Sequence, residues 1–186
     1  MNFLRAANRL KLVPRAGWLL RGVQPAESVA DHTYGVALTA LLLADLIDET
    51  VDRERLLILA LLHDLAESIT GDIPSPASRF FPPGAKESVE EQAVISLLQD
   101  WPAGEDYVEL WQEYQEVSTV EGRLVRDADR LEMLLQSDAY ERAGAAGLDE
   151  FWDDLAEDQF AFDATWQIVR HLVKERLGNP ATTCET

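Results

Sequence analysis

Apolar residues recur every three or four positions along most of this chain, a spacing that places them on one face of an α-helix. No segment between turn signals alternates steadily between apolar and polar residues, as a half-buried strand would. The pattern therefore predicts an all-α fold, a single helical bundle of about seven or eight helices over residues 1–178, with no significant sheet. The polar residues 179–186 are expected to form a loose C-terminal tail.

Caps, glycines and prolines set the boundaries of the predicted helices. Asp52 can cap the third helix, whose apolar residues lie on nearly every side, as is typical of the central helix of such a domain. The expected helices cover residues 2–12, from Ser28 or Asp31 to 48, 53–68, 85–99, 105–117, 120–143, 149–158 and 164–177. Residues 15–25 and 71–84 are expected to form loops.

Composition narrows the possible partners. The chain has 34 acidic and 16 basic residues and a formal net charge of −18, which argues against binding to a nucleic-acid polymer. Residues 1–26, however, contain five basic residues and no acidic one, so this segment would suit a small anion or would simply form a basic surface helix. The single cysteine favours the cytoplasm. No apolar run approaches the roughly 18 residues that span a bilayer, so no membrane contact is expected.

A cluster of ionisable residues interrupts the apolar third helix. His63, Asp64 and Glu67 lie within it, and Asp72 follows shortly after. Polar groups on apolar faces are costly to bury without partners, so together they indicate a site. On a helix, His63 and Glu67 share a face and Asp64 is rotated by about 100°. Histidine and carboxylate ligands suit a divalent first-row metal ion. The chain offers further ligands in His32, Asp127 and Asp129.

The two aspartates of the long helix at 120–143 differ in position. Asp127 lies closer than Asp129 to the main apolar stripe, which is formed by Leu124, Ala128, Leu131 and Leu135. Asp129 lies between Val125 and Met133, four residues away on either side, and would point inward if both faces of the helix were covered. Helical periodicity alone leaves both residues open as ligands.

Six stretches of the chain carry a resemblance to a known family. They are LKLVPRAGW (10–18), RGV (21–23), ESVADH (27–32), HDLAE (63–67), TGDIP (70–74) and VRDADRLEM (125–133). They resemble the HD-domain metal-dependent phosphohydrolases, and most closely the 5'-deoxynucleotidase branch. The likeness runs over residues 3–145 in the expected order, so it implies an HD-type domain over residues 1–178.

The resemblance also implies a role for each candidate residue. One divalent cation, such as Co²⁺ or Mn²⁺, would be held by His32, His63, Asp64 and Asp129, with Asp127 as the alternative. Glu67 would assist the chemistry, and Asp72 would contact the 3'-hydroxyl of the sugar. The phosphate would be held by Arg15, and Trp18 would pack against the sugar and disfavour a 2'-hydroxyl.

The function implied is hydrolysis of deoxyribonucleoside 5'-monophosphates by a cytoplasmic enzyme, and the resemblance implies a homodimer. One alternative is a triphosphohydrolase or phosphodiesterase of the same superfamily, which should need more basic residues than Arg15 and Arg21. Another is a module that senses nucleotides without hydrolysing them. The presence of Glu67 and of every candidate ligand disfavours that alternative.

Overall fold

Helices and helical turns make up most of the computed structural model, which describes residues 2–153 and 155–178. The helices α1 to α10 span Asn2–Arg9, Ala16–Leu19, Val29–Ala44, Arg53–Leu62, Glu67–Thr70, Ser75–Ser78, Ala85–Leu98, Gly104–Glu116, Val120–Arg142 and Asp163–Gly178. Short 3-10 turns lie at Leu10–Leu12, Asp149–Phe151 and Glu157–Gln159. Within the described residues there is no strand, only an isolated bridge between Pro14 and Ser28. The all-α prediction is confirmed.

Three helices, α3, α4 and α9, pack together at the centre of the fold. Their facing side chains are almost completely buried and form one apolar core, which includes Val36, Leu43, Leu56, Leu59, Leu124 and Leu131. Ser28 and Asp31 form a capping box that starts α3, and Thr119 caps α9. A second apolar cluster joins α1 to α7 and α8 around Trp111. Seven of the described helices have eight residues or more, as the sequence predicts.

The third predicted helix, at 53–68, is interrupted. Helix α4 ends at Leu62, and a turn over residues 63–66 leads into the short helix α5. In this turn the N–H groups of Leu65, Glu67 and Ser68 bond to carbonyl groups three residues earlier, at 3.0 to 3.2 Å. Such bonds tighten the chain relative to an α-helix. Apolar periodicity cannot distinguish the two bonding patterns over so few residues, so the prediction of one continuous helix was wrong.

The prediction of a helix at 149–158 was also wrong, because two 3-10 turns take its place. Residue 154 lies outside the described part of the chain. Contacts with α9 hold this segment: the Trp152 indole donates a hydrogen bond to Ser137 at 2.9 Å. The predicted loops at 15–25 and 71–84 each contain a four-residue helix, α2 and α6. The predicted tail at 179–186 lies outside the described residues. No helix in the described ranges is long and apolar enough to cross a membrane.

Candidate metal centre and substrate pocket

Two buried histidines face each other where α3 meets the end of α4. His32 lies in the first turns of α3, His63 directly follows α4, and their Nε2 atoms are 3.5 Å apart. The Nδ1 atom of His63 lies 2.7 Å from the carbonyl oxygen of Ala60, which can only accept a hydrogen bond. The Nδ1 atom of His32 lies 2.6 Å from Glu132 Oε2. With Nδ1 as the donor, the Nε2 lone pair of each ring is available to a metal ion.

Two carboxylates complete the cluster. Asp64 Oδ2 lies 3.3 Å from His63 Nε2 and 3.7 Å from His32 Nε2. Asp129 Oδ1 lies 3.1 Å from His32 Nε2. Two ligand atoms at about 2.1 Å from one ion are separated by roughly 3.0 to 3.4 Å at octahedral or tetrahedral angles. The four distances, 3.1 to 3.7 Å, lie within this range or slightly above it, and the mixed nitrogen and oxygen donors suit one divalent cation.

Asp127 lies away from this cluster. It is 1% exposed, and its carboxylate accepts hydrogen bonds from the N–H groups of Ala161 at 2.8 Å and Phe162 at 3.1 Å. It therefore fixes the segment that precedes α10. The apolar stripe of α9 also differs from the expected one, because Leu134 is buried and Leu135 is 40% exposed. Asp129 stays our prediction for the fourth ligand, and its contact with His32 supports it.

The electrostatics of the cluster favour ionised carboxylates. Burial acts to raise the pKa of Asp64, but the charge and hydrogen bond of a protonated His63 outweigh it and hold that pKa below its usual range. A metal ion would displace that proton from His63 and supply the positive charge in its place. Burial likewise acts to raise the pKa of Asp129, whereas the hydrogen bond to His32 lowers it on balance. A ligating carboxylate must be deprotonated, so both groups are in the required form at neutral pH.

Glu67 is the first residue of α5 and has a different environment. It is buried, and its Oε2 atom has no hydrogen-bond partner within the described part of the chain. Burial, followed by the negative charges of Asp64 and Asp72, raises the pKa of Glu67 to about 9. A buried carboxyl oxygen without a partner is costly unless a water molecule or a ligand satisfies it. Glu67 is thus suited to hold a water molecule at the metal centre.

A pocket of about 310 Å³ opens over the metal centre, close to the roughly 300 Å³ at the lower end for small-molecule sites. The predicted residues Arg15, Trp18, Asp64, Glu67, Asp72 and Asp129 all line it. An Arg15 guanidinium nitrogen lies 3.2 Å from Asp64 Oδ2, and Asp72 Oδ2 accepts a hydrogen bond from the Ala16 N–H at 2.6 Å. Gly71, at φ +73°, turns the chain into Asp72 with a backbone conformation that favours glycine.

Trp18 lines one side of this pocket and is only 2% exposed. Its ring centroid lies 4.4 Å from that of Phe151 and 5.3 Å from that of Tyr140. Its indole N–H donates to Glu27 Oε1 at 2.7 Å. The ring is therefore held on several sides, and any group that contacts it from the pocket meets a fixed apolar surface.

A model of the HD-domain family matches residues 7–161. The chain belongs to the HD-domain family. It is 40% identical over 185 residues to "5'-deoxynucleotidase HDDC2" of Bos taurus. The matched region covers 97% of this chain and 87% of that protein. It is 34% identical to "5'-deoxynucleotidase YGK1" of Saccharomyces cerevisiae over 148 residues, 75% of this chain and 66% of that one.

Two solved structures share this fold. A conserved hypothetical protein from Pyrococcus furiosus is 37% identical to this chain, with a TM-score of 0.81. The superposed region covers 92% of this chain and 98% of that protein. A "predicted metal-dependent phosphohydrolase" from Magnetospirillum magnetotacticum is 26% identical, with a TM-score of 0.71, and covers 97% and 94%. The predicted family and helical architecture are confirmed.

Sequence reasoning assigned no role to several residues of this HD-domain site. Lys86 and Phe151 line the pocket, and the Lys86 ammonium lies 3.4 Å from Glu90. Both lie far from the quoted motifs in sequence, and nothing in their spacing indicates the pocket. Glu27 and Glu132, in contrast, lie inside the stretches that carry the resemblance. A glutamate five residues before a histidine, or three after an aspartate, was the signal available for them.

Proposed function

We propose that this HD-domain protein is a metal-dependent 5'-deoxynucleotidase, which converts deoxyribonucleoside 5'-monophosphates to deoxyribonucleosides and phosphate. The observation that carries the proposal is the convergence of two histidines and two aspartates beneath a pocket that also holds Arg15 and Glu67. Relatives in Bos taurus and Saccharomyces cerevisiae that carry this activity in their names support it.

We assign one divalent cation, such as Co²⁺ or Mn²⁺, to four ligands: His32, His63, Asp64 and Asp129. When bound, the cation supplies positive charge to the phosphoryl oxygens and acidifies water. Arg15 adds a guanidinium that can bind two phosphate oxygens at once. Its contact with Asp64, at 3.2 Å, holds it beside the ligands before substrate arrives. A phosphate dianion would then lie between Arg15 and the metal centre.

Glu67 handles the proton of the attacking water in this proposal. The water oxygen forms a bond to phosphorus while the bond from phosphorus to the 5'-oxygen breaks, and the proton that the water gives up is transferred to the 5'-oxygen. The Oε2 atom, which lacks a partner within the described residues, can accept a hydrogen bond from that water and orient it. General acid–base assistance of this kind typically contributes about 10² to 10⁴ in rate.

Asp72 and Trp18 would recognise the sugar. One carboxylate oxygen of Asp72 is engaged by the Ala16 N–H, which leaves the other able to accept a hydrogen bond from a 3'-hydroxyl. A phosphate at that position would be repelled, so a monomer with a free 3'-hydroxyl is preferred to a polymer. The ring of Trp18 offers no acceptor to a 2'-hydroxyl, whose burial without a partner would be unfavourable. This disfavours ribonucleotides.

The assembly and compartment belong to the same proposal. We expect a homodimer, because the family resemblance implies one. Several large apolar side chains on α3, including Leu38 and Leu42, are about half exposed and could be covered by another subunit. A cytoplasmic location is supported by the single cysteine in the sequence.

Phosphate release tests the proposed function. Metal-free protein would be supplied separately with Co²⁺, Mn²⁺, Mg²⁺ or Zn²⁺ and assayed on matched deoxyribo- and ribonucleoside 5'-monophosphates and on the corresponding triphosphates. We expect release from the deoxyribonucleoside monophosphates with at least one metal. Release from triphosphates alone would favour a triphosphohydrolase, and no release from any substrate would favour a sensing module. Equal rates on both sugars would remove only the role of Trp18.

A further inference from the structure

Both nitrogens of the His32 ring are contacted by one face of α9. Asp129 Oδ1 lies 3.1 Å from Nε2, and Glu132 Oε2 lies 2.6 Å from Nδ1. Asp129 and Glu132 are three residues apart, so they project from neighbouring positions on the same side of the helix. His32 is fully buried and Glu132 nearly so. The ring is thus fixed from both ends by a pair of carboxylates on a rigid element.

The side chain of Glu132 has room beside His32 because residue 35 is glycine. Gly35 lies three residues after His32 on α3, on the side that faces Glu132. A Cβ atom at position 35 would lie only 2.6 Å from Glu132 Oε1 and 2.8 Å from its Cγ atom. These separations are well below van der Waals contact, so any larger residue would displace the glutamate. A glycine within a helix destabilises it by roughly 0.5 to 1 kcal/mol relative to alanine, which calls for a local reason such as this one.

We propose that Glu132 is the positioning residue for the metal ligand His32, and that Gly35 acts through Glu132 by making room for its side chain. Glu132 accepts the Nδ1 hydrogen of His32 and so keeps the Nε2 lone pair available to the cation that His63, Asp64 and Asp129 would also hold. The inference rests on the metal centre of the proposed function, but it concerns metal binding in the absence of any nucleotide. Outer residues of this kind typically change metal affinity by about 10- to 100-fold.

The test is titration of the metal-free full-length protein with Co²⁺ alone, followed by calorimetry and by the visible absorption of the bound ion. We expect Glu132→Gln to bind Co²⁺ about 10- to 100-fold more weakly than the unmodified protein, with an altered spectrum. Glu121→Gln is the matched control, because Glu121 is also a buried glutamate on α9 and accepts a hydrogen bond from the backbone N–H of Asp52 rather than from a histidine. It should retain the original affinity and spectrum.

A second pair of variants separates positioning from general damage to the helix. Gly35→Ala should weaken Co²⁺ binding in the unmodified background, whereas Gly178→Ala, at a helical glycine with nothing within 4 Å of the added carbon, should not. In a Glu132→Ala background the added methyl group meets no glutamate. Gly35→Ala should therefore cause no further loss there, because two residues that act through one contact are not additive.

Three results would overturn the inference. One is unchanged Co²⁺ affinity and spectrum in Glu132→Gln. Another is an equal loss from Gly35→Ala in both backgrounds, which would mean that the glycine does not act through Glu132. The third is binding of two ions that falls to one in Glu132→Gln, which would make Glu132 a ligand. If the unmodified protein bound no metal, the proposed function would fail as well, whereas unchanged variants of a metal-binding protein would remove this inference alone.

Discussion

Asp127 and Asp129 lie two residues apart on α9 and differ in what they contact. Asp129 touches His32, whereas Asp127 accepts hydrogen bonds from the backbone of Ala161 and Phe162. We expect Asp129→Ala to weaken metal binding by more than the roughly 10- to 100-fold typical of outer residues. Asp127→Ala should keep metal affinity but lower the free energy of unfolding by about 1 to 3 kcal/mol, because the buried Phe162 N–H loses its acceptor.

Calorimetric metal titration and denaturant unfolding of the same two variants would measure these effects. The reverse pattern, in which Asp127→Ala loses the metal and Asp129→Ala does not, would show that the fourth ligand is wrongly assigned. Periodicity correctly indicated that Asp127 is the more deeply buried of the two. It could not reveal that a distant segment supplies the partners of that carboxylate, because such a contact leaves no trace in the spacing of α9 itself.

Glu67 offers a test of chemistry separate from metal binding. Glu67→Gln keeps the size of the side chain but can neither take up nor release a proton. We expect kcat for phosphate release to fall by about 10² to 10⁴, with Co²⁺ affinity close to that of the unmodified protein. The result is measured by steady-state assays and by titration of the same preparation. A variant with normal kcat would exclude Glu67 from proton handling.

For the helices, the sequence predicted which ones occur better than it predicted where each one ends. The long, strongly periodic helices α3, α7, α8, α9 and α10 occur where the pattern places them. The break after Leu62 and the turns around 149–159 were missed. In both places the local pattern is apolar or acidic enough for a helix, but contacts from other elements set the backbone. The break also places Glu67 at the start of α5, beside the pocket.

The start of α3 links helix stability to the metal centre. The Ser28 side chain accepts a hydrogen bond from the Asp31 N–H at 3.1 Å, one residue before His32. Ser28→Ala should lower the free energy of unfolding by about 0.5 to 2 kcal/mol. The loss of the cap would loosen the turn that carries His32, so Co²⁺ affinity should also fall. A loss of about 1 kcal/mol in the free energy of Co²⁺ binding corresponds to about fivefold weaker affinity.

Thr119→Ala is the matched control for that prediction. Thr119 caps α9 through the Gly122 N–H at 3.1 Å, ten residues before Asp129. The variant should lose a similar amount of stability in denaturant unfolding without a change in Co²⁺ affinity. Equal effects of both substitutions on Co²⁺ affinity would mean that the first turn of α3 has no particular role in holding the ligand.

For the whole molecule, the family and the all-α architecture followed from motif order and apolar periodicity. The residues that hold the ligand His32 in place could not be predicted in this way, because the contact between Gly35 and Glu132 depends on how α3 and α9 cross. The four carboxylates lining the pocket belong to a chain with a net charge of −18. A bound divalent cation would relieve their mutual repulsion, which couples metal binding to global stability.

Removal of the metal should therefore destabilise the protein. Binding to the folded state alone contributes about 2.7 kcal/mol when free metal is at 100 times its Kd. For a chain of this size that corresponds to a fall in Tm of about 5 to 10 °C on chelation. Thermal unfolding with metal and with excess chelator measures the effect. Asp129→Ala should show little difference between the two conditions, and a full shift in that variant would contradict the ligand assignment.

The most direct measurement is phosphate release from one deoxyribonucleoside 5'-monophosphate by three matched samples. These are the unmodified protein with its best metal, the same protein after chelation, and Asp129→Ala with that metal. We expect rapid release from the first sample, loss on chelation that is reversed by added metal, and near-background release from Asp129→Ala. Equal release from all three would contradict a hydrolytic metal centre built on His32, His63, Asp64 and Asp129.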